Sequence, residues 1–185
     1  MLTTGVGMVA TAAWCSRALA RAAYDLAVNV GVCGSFDPGL SPGTVVHVTS
    51  DRLAELGAED GDRFLTIDEL GLGSGPGGPD AGGLMVNRQP PPYPVLRALP
   101  AVAGITVNTV HGHESSIAVT IERLNPQVES MEGAAFMYAC LIHAVPFAQL
   151  RGVSNMVERR NREAWKMPLA IGSVCHTALD LLDQA

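Results

Sequence analysis

At 185 residues, with 20 glycines and 48% hydrophobic content, the chain fits one globular domain with a sizeable core and not a disordered tail. Its formal charge of -6 weighs against a nucleic-acid surface, which needs a concentrated basic face, so the expected partner is a small molecule. Cys15, Cys33, Cys140 and Cys175 form no CxxC pair and read as small buried side chains. The start carries no signal-peptide pattern, and the most apolar region, 133–150, is interrupted by His143 and Pro146, so a cytoplasmic location with no membrane contact is expected.

In chain order, residues 2–4 read as the last few residues of a strand, 5–7 as a tight turn and 8–22 as an Ala-rich helix. Val9, Ala12, Ala13, Leu19 and Ala20 give that helix a stripe that packs on a sheet. No strand of ordinary length precedes it, so the single domain, 1–185, reads as N-terminally short. The run 26–32 is apolar apart from Asn29, as for a strand covered on both faces, and it exits through Gly31, Cys33, Gly34 and Ser35. A glycine at Gly34 lets backbone come close to a ligand.

A turn at 41–43 leads to a β-branched strand, 44–49, in which His47 reads as a packed, hydrogen-bonded core residue. The stretch 51–62 suggests a short helix and a turn with solvent-facing acids, and 63–67 another strand. Residues 71–83 are too rich in glycine and proline for regular structure. GxGxxG-like spacings occur there, but no strand enters and no helix leaves, so no dinucleotide site is expected. A short helix, 95–99, and a strand, 104–110, follow, the strand running into His111, Gly112, His113 and Glu114. No third ligand group with recognisable spacing accompanies the two histidines, so neither a metal nor another cofactor is expected.

After a helix over 115–124, residues 127–155 read as strand, helix and strand, with the helix, 133–144, ended by Pro146 and the second strand at 147–153. A right-handed crossover between parallel neighbours brings Glu132 and Asn155 to one sheet edge, about 10 Å or less apart, at the kind of edge where open α/β sheets bind ligands. A carboxylate at Glu132 can accept from two adjacent hydroxyls, as on a ribose, while the Asn155 amide offers a donor and an acceptor to a base. Both have plainer readings: Glu complements a helix dipole, and Asn is a common turn residue. Arg159, Arg160 and Arg162, flanked by Glu158 and Glu163, read as a solvated face. Trp165 and Pro168 lie in a segment able to fold over the opening, and 169–182 is a terminal amphipathic helix.

VESMEGAAFMYAC followed by QLRGVSN resembles the nucleoside phosphorylase and nucleosidase superfamily, and SNMVERRNREAW and TVNTVHGHE look most like its futalosine hydrolase family. The resemblance implies a three-layer α/β fold, a central twisted mixed sheet flanked by helices. It also implies an N-glycosidic bond hydrolase that releases hypoxanthine from futalosine, leaving dehypoxanthine futalosine, in menaquinone biosynthesis. Asn155 and Glu132 become the catalytic pair, and Gly34, Ser130, Met131, Glu132, His111, His113 and Asn155 the substrate-binding set. Met131 would pack under the ribose, and Asn155, where methylthioadenosine nucleosidases carry Asp, would face a 6-oxopurine. Asn29 occupies the place of a phosphate-holding arginine in the phosphorylases, which favours water as the attacking group. The usual water-activating glutamate lies upstream of the TGVG turn in the nucleosidases and has no counterpart here, which leaves a shortened form or a role for Glu114. The alternatives are a methylthioadenosine/S-adenosylhomocysteine nucleosidase, a purine nucleoside phosphorylase, or an inactive purine-nucleoside-binding fragment. A homo-oligomer is implied throughout.

Overall fold

The computed structural model describes residues 1–72 and 83–184, so the loop read at 71–83 falls mostly outside the described residues. The chain runs α1 (Met8–Leu19), β1 (Ala27–Ser35), β2 (Val45–Leu53), β3 (Gly57–Asp60), β4 (Arg63–Thr66), β5 (Leu84–Val86), α2 (Pro94–Ala98), β6 (Ala101–Thr106), α3 (Glu114–Leu124), β7 (Val128–Ser130), α4 (Gly133–Ile142), β8 (Phe147–Met156) and α5 (Met167–Leu182). Six strands form one mixed sheet in the order β5-β2-β6-β7-β1-β8, and the start of β2 also pairs antiparallel with β8, closing the sheet on itself.

Helices cover the sheet on both sides, as the fold class requires. On one side α1 and α4 bury Cys15, Phe136, Met137 and Cys140 with Met85 and Phe147. On the other, Val174 and Leu181 of α5 and Leu96 of α2 pack on Ala148 and Leu150. Alternate residues of β8 therefore serve opposite layers, as the period of two in a strand dictates. A third cluster, with Cys33, Val46, Val48, Val102, Val128 and Val153, joins the strands themselves.

Several expectations from the sequence are corrected. The strands either side of α4 are neither neighbours nor parallel: β1 lies between them, antiparallel to β7 and parallel to β8. With only three residues, β7 runs parallel to β6, and its contact with β1 is confined to Gly34↔Glu129 and Ser35↔Val128. Most of β1 is only partly buried, and Val30 is 41% exposed, so the strand is not covered on both faces as its apolar run suggests. The stretch read as a helix at 51–62 instead finishes β2 and starts the β3–β4 hairpin, where a Cβ at Gly57 would collide with the Leu65 carbonyl and the Phe64 ring. Tertiary pairing overrides a helical composition there. Residues 2–4 form no strand. Thr4 and Thr11 share a hydroxyl contact of 3.2 Å instead. α4 stops at Ile142 because Ala144 turns into the left-handed region (φ 53) ahead of Pro146.

Cys175 is exposed, unlike the other three cysteines. His47 is buried as expected but incompletely bonded: its Nε2 has no partner among the described residues, and burial lowers its affinity for a proton.

Two glycines in helices give opposite expectations. A Cβ at Gly133 would overlap Asp51 Oδ2 and Gln149 Oε1, whereas one at Gly172 in α5 would meet nothing within 4 Å. Gly133→Ala should cost about 1–3 kcal/mol, while Gly172→Ala should stabilise by roughly 0.5–1 kcal/mol. Thermal unfolding of the two variants checks the contrast in sign.

Candidate active site

The site begins with charges buried in the sheet. Arg151 of β8 has a side chain only 3% exposed, and its guanidinium donates to Gln149 Oε1 (3.2 Å from Nε, 3.0 Å from Nη2) and to Asn29 Oδ1 of β1. Its Nη1 lies 3.7 Å from Glu132 Oε2, and Glu132 Oε1 accepts from the backbone N–H of Gly7 at 3.0 Å. Gln149 donates in turn to Asp51 Oδ2 (3.1 Å), whose other oxygen accepts from Thr106 Oγ1 (2.9 Å). Glu132, just ahead of α4, is thus aimed by core residues of four strands and by the N-terminal turn. Gly31 makes room for the guanidinium, since a Cβ there would overlap Nη1.

Burial lowers the proton affinity of Arg151, opposed by Glu132 and Asp51. Burial also pushes Asp51 up to about 6 from 3.8, against hydrogen bonds from Gln149 and Thr106 and the Arg151 charge.

The second half of the site lies at one level of three strands. Gly34 pairs with Glu129 of β7 on one side and with Asn155 of β8 on the other. A bulge between Cys33 and Gly34 makes Ser154 the extra residue, and this re-aims the side chain that follows. Asn155 Oδ1 lies 2.8 Å from the Ser154 hydroxyl, which also reaches the Cys33 carbonyl, and Asn155 Nδ2 donates to Met156 O at 2.9 Å. One N–H and one lone-pair direction of the amide therefore remain for a ligand. A Cβ at Gly34 would stand 2.9 Å from Val157 and 3.4 Å from the Asn155 amide, so glycine keeps the floor open.

Gly34, His111, Glu129, Asn155, Arg160 and Trp165 all line a cleft of about 100 Å³. His111 is held on three sides. Its Nδ1 lies 2.6 Å from Glu129 Oε2, its Nε2 is 2.8 Å from Thr120 Oγ1, and the Phe36 ring meets it edge-on at 6.1 Å. Burial raises the pKa of Glu129, which the hydrogen bond and charge of His111 oppose.

Of the residues expected from the sequence, Gly34, His111 and Asn155 meet in this cleft. Glu132 does not line it. The residue sits on the Arg151 network, with its side chain 20% exposed. Ser130 is buried and accepts from the Gly133 N–H at 3.2 Å, and Met131 is half-buried beside it. His113 points elsewhere: it caps α3 by accepting from Ser115 and is exposed. Glu114 is likewise exposed on the first turn of α3, outside the cleft. Trp165 lines the cleft. Arg160, expected on a solvated face, lies over its ring at 5.4 Å and lines the cleft.

Sequence reasoning missed Glu129 and Arg151. Arg151 stands in a largely apolar strand run, where a charge was the available signal, whereas Glu129, between Val128 and Ser130, offers no such contrast. The larger cavity, about 410 Å³, lies between β5, the end of α4 and Phe147, and holds none of the expected residues. No group of three or more potential metal ligands occurs among the described residues.

The profile of the Phosphorylase superfamily matches residues 1–174. Futalosine hydrolase of Streptomyces coelicolor is 34% identical over 186 residues, covering 94% of this chain and 74% of the relative. Futalosine hydrolase of Acidothermus cellulolyticus is 34% identical over 180 residues, covering 95% and 72%. Among solved structures, futalosine hydrolase of Helicobacter pylori superposes with a TM-score of 0.80 at 12% identity, over 98% of this chain and 78% of that one. A methylthioadenosine/S-adenosylhomocysteine nucleosidase of Colwellia psychrerythraea in complex with adenine gives 0.76 at 21% identity, over 98% and 76%. Identities that low speak for the fold alone.

Asp51 gives a test of the buried network. Its folded pKa lies above the unfolded one, so its contribution to stability is complete below pH 4 or so and is lost as pH rises through about 6. Unfolding free energies across that window should fall more steeply with pH for the wild type than for Asp51→Asn, whatever constant offset the lost Gln149 contact brings. Parallel curves would show that Asp51 is not held protonated.

Proposed function

This chain belongs to the phosphorylase superfamily, in its futalosine hydrolase branch, and from that premise we propose that it hydrolyses the N-glycosidic bond of futalosine, releasing hypoxanthine. One observation carries the choice of base: Asn155, fixed by Ser154 and Met156, faces the cleft over Gly34 with one donor and one acceptor to spare. That pair matches the carbonyl and adjacent ring N–H of a 6-oxopurine, whereas a carboxylate would call for a second donor from the base.

Cleavage passes through a state in which the ribose carries developing positive charge and the base departs with extra electron density. Glu132 accepts from the ribose hydroxyls and stabilises the sugar's charge, held in place by Arg151 and the Gly7 N–H. Asn155 bonds the base, and His111 borders it. Gly34 and Ser130 shape the backbone beneath, and Met131 packs under the ribose. His113, exposed at the α3 cap, is assigned no part.

Water is the attacking group. The guanidinium that bonds Asn29 is committed to Gln149, Asn29 and Glu132, with Asp51 close behind, so a phosphate dianion arriving there would meet carboxylates instead of a spare cation. The apolar residues left exposed on α5, Leu169, Ile171, Leu179 and Leu182, support a homo-oligomer. Four free thiols suit a reducing, cytoplasmic setting. No described helix is long and apolar enough to cross a membrane.

The test is to incubate the protein with futalosine in phosphate-free buffer and follow hypoxanthine and dehypoxanthine futalosine by chromatography. Hydrolysis without phosphate is expected, and a requirement for phosphate, with a ribosyl phosphate as product, would overturn the reading. Glu132→Gln should lower turnover about 10²–10³-fold. Asn155→Asp should shift preference from the 6-oxo to the 6-amino base by about tenfold or more.

A further inference from the structure

An amide cannot release a proton, yet a purine departs far more readily once a ring nitrogen is protonated. Resting on the futalosine hydrolase reading, we propose that Glu129 is the general acid that protonates the departing base, with His111 restoring its proton. Four observations support this assignment. Glu129 lines the cleft beside Gly34, directly across from Asn155 at the same level of the sheet. It is a carboxyl group 4% exposed, buried on a strand at the edge of the cleft. It is joined to an imidazole at 2.6 Å, so the pair can hold one transferable proton on either partner. Both ring nitrogens of His111 are already engaged, Nδ1 by Glu129 Oε2 and Nε2 by Thr120, and Oε2 also receives the His111 backbone N–H, whereas Glu129 Oε1 accepts from that N–H alone and keeps a second lone-pair direction free.

The other charged or titratable groups about the pair are Cys33 on β1, which feels the Glu129 charge, and Glu158 and Arg160, which line the same cleft beyond β8. Thr120 of α3 and Phe36 are uncharged and fix the imidazole. Burial raises Glu129 in the direction an acid catalyst near neutral pH requires.

In the step, the C1′–N bond breaks and its electron pair goes to the base. The proton on Glu129 passes to a base nitrogen. The oxygen of water bonds to C1′, and the proton that water gives up returns to the His111–Glu129 pair through solvent. One water is consumed, with hydroxyl left on the sugar and hydrogen on the base.

Futalosine and futalosine methylated at N7, whose base already carries a positive charge, separate this step from sugar activation. In the wild type, kcat for futalosine should fall about tenfold per pH unit above the pKa of the pair, while kcat for the N7-methylated substrate stays level. Glu129→Gln should lower kcat for futalosine about 10²-fold or more and leave the N7-methylated substrate within about threefold. Identical pH profiles for the two substrates, or an equal loss on both in Glu129→Gln, would overturn the assignment. If the wild type released base from neither substrate, the fault would lie with the futalosine hydrolase reading itself.

Discussion

A guanidinium inside a sheet dictates where the Glu132 carboxylate stands. Removing Arg151 from water costs several kcal/mol unless its donors are met, and the sequence meets them from different strands: Gln149 beside it, Asn29 across the β1–β8 ladder and Glu132 at the head of α4. Two glycines, Gly31 and Gly133, clear the space that this arrangement occupies. The Glu132 side chain is partly exposed and, without these contacts, would be free to take other rotamers. Its position follows from packing that has nothing to do with a ligand, so the binding geometry exists before a ligand arrives.

The cleft at Gly34 depends on register. Three strands far apart in sequence place Glu129, Gly34 and Asn155 side by side, and the bulge at Ser154 turns the last of them toward the cleft. Shifting one strand by a single residue would send these side chains to the other face. Closure of the sheet through β2 and β8 guards against that slip, because β8 is then held along both edges.

Much of this was legible in the chain. The glycine at 34, the Met131–Glu132 pair and the polar exit at Asn155 all carried chemistry readable from residue type and spacing. The topology joining them was not. A strand as short as β7 leaves no periodic signal, and nothing local shows that β1 inserts between β7 and β8. The β3–β4 hairpin was hidden by a helix-forming composition, its only clues being Gly57 and the left-handed Gly61. Glu129 and Arg151 were overlooked because nothing local in the sequence shows that these charges are buried, and His113 was overvalued because a capping role looks the same in sequence as a binding one.

The account places the purine over Gly34, between Asn155 and Glu129, in a cleft that is smaller than the cavity beside Phe147. A crystal structure of the protein soaked with hypoxanthine measures this directly. Density for the base within hydrogen-bond reach of the Asn155 amide, beneath Trp165, is the predicted result. Hypoxanthine bound only in the cavity lined by Asn87, Leu141 and Phe147, with the Asn155 cleft empty, would contradict the account.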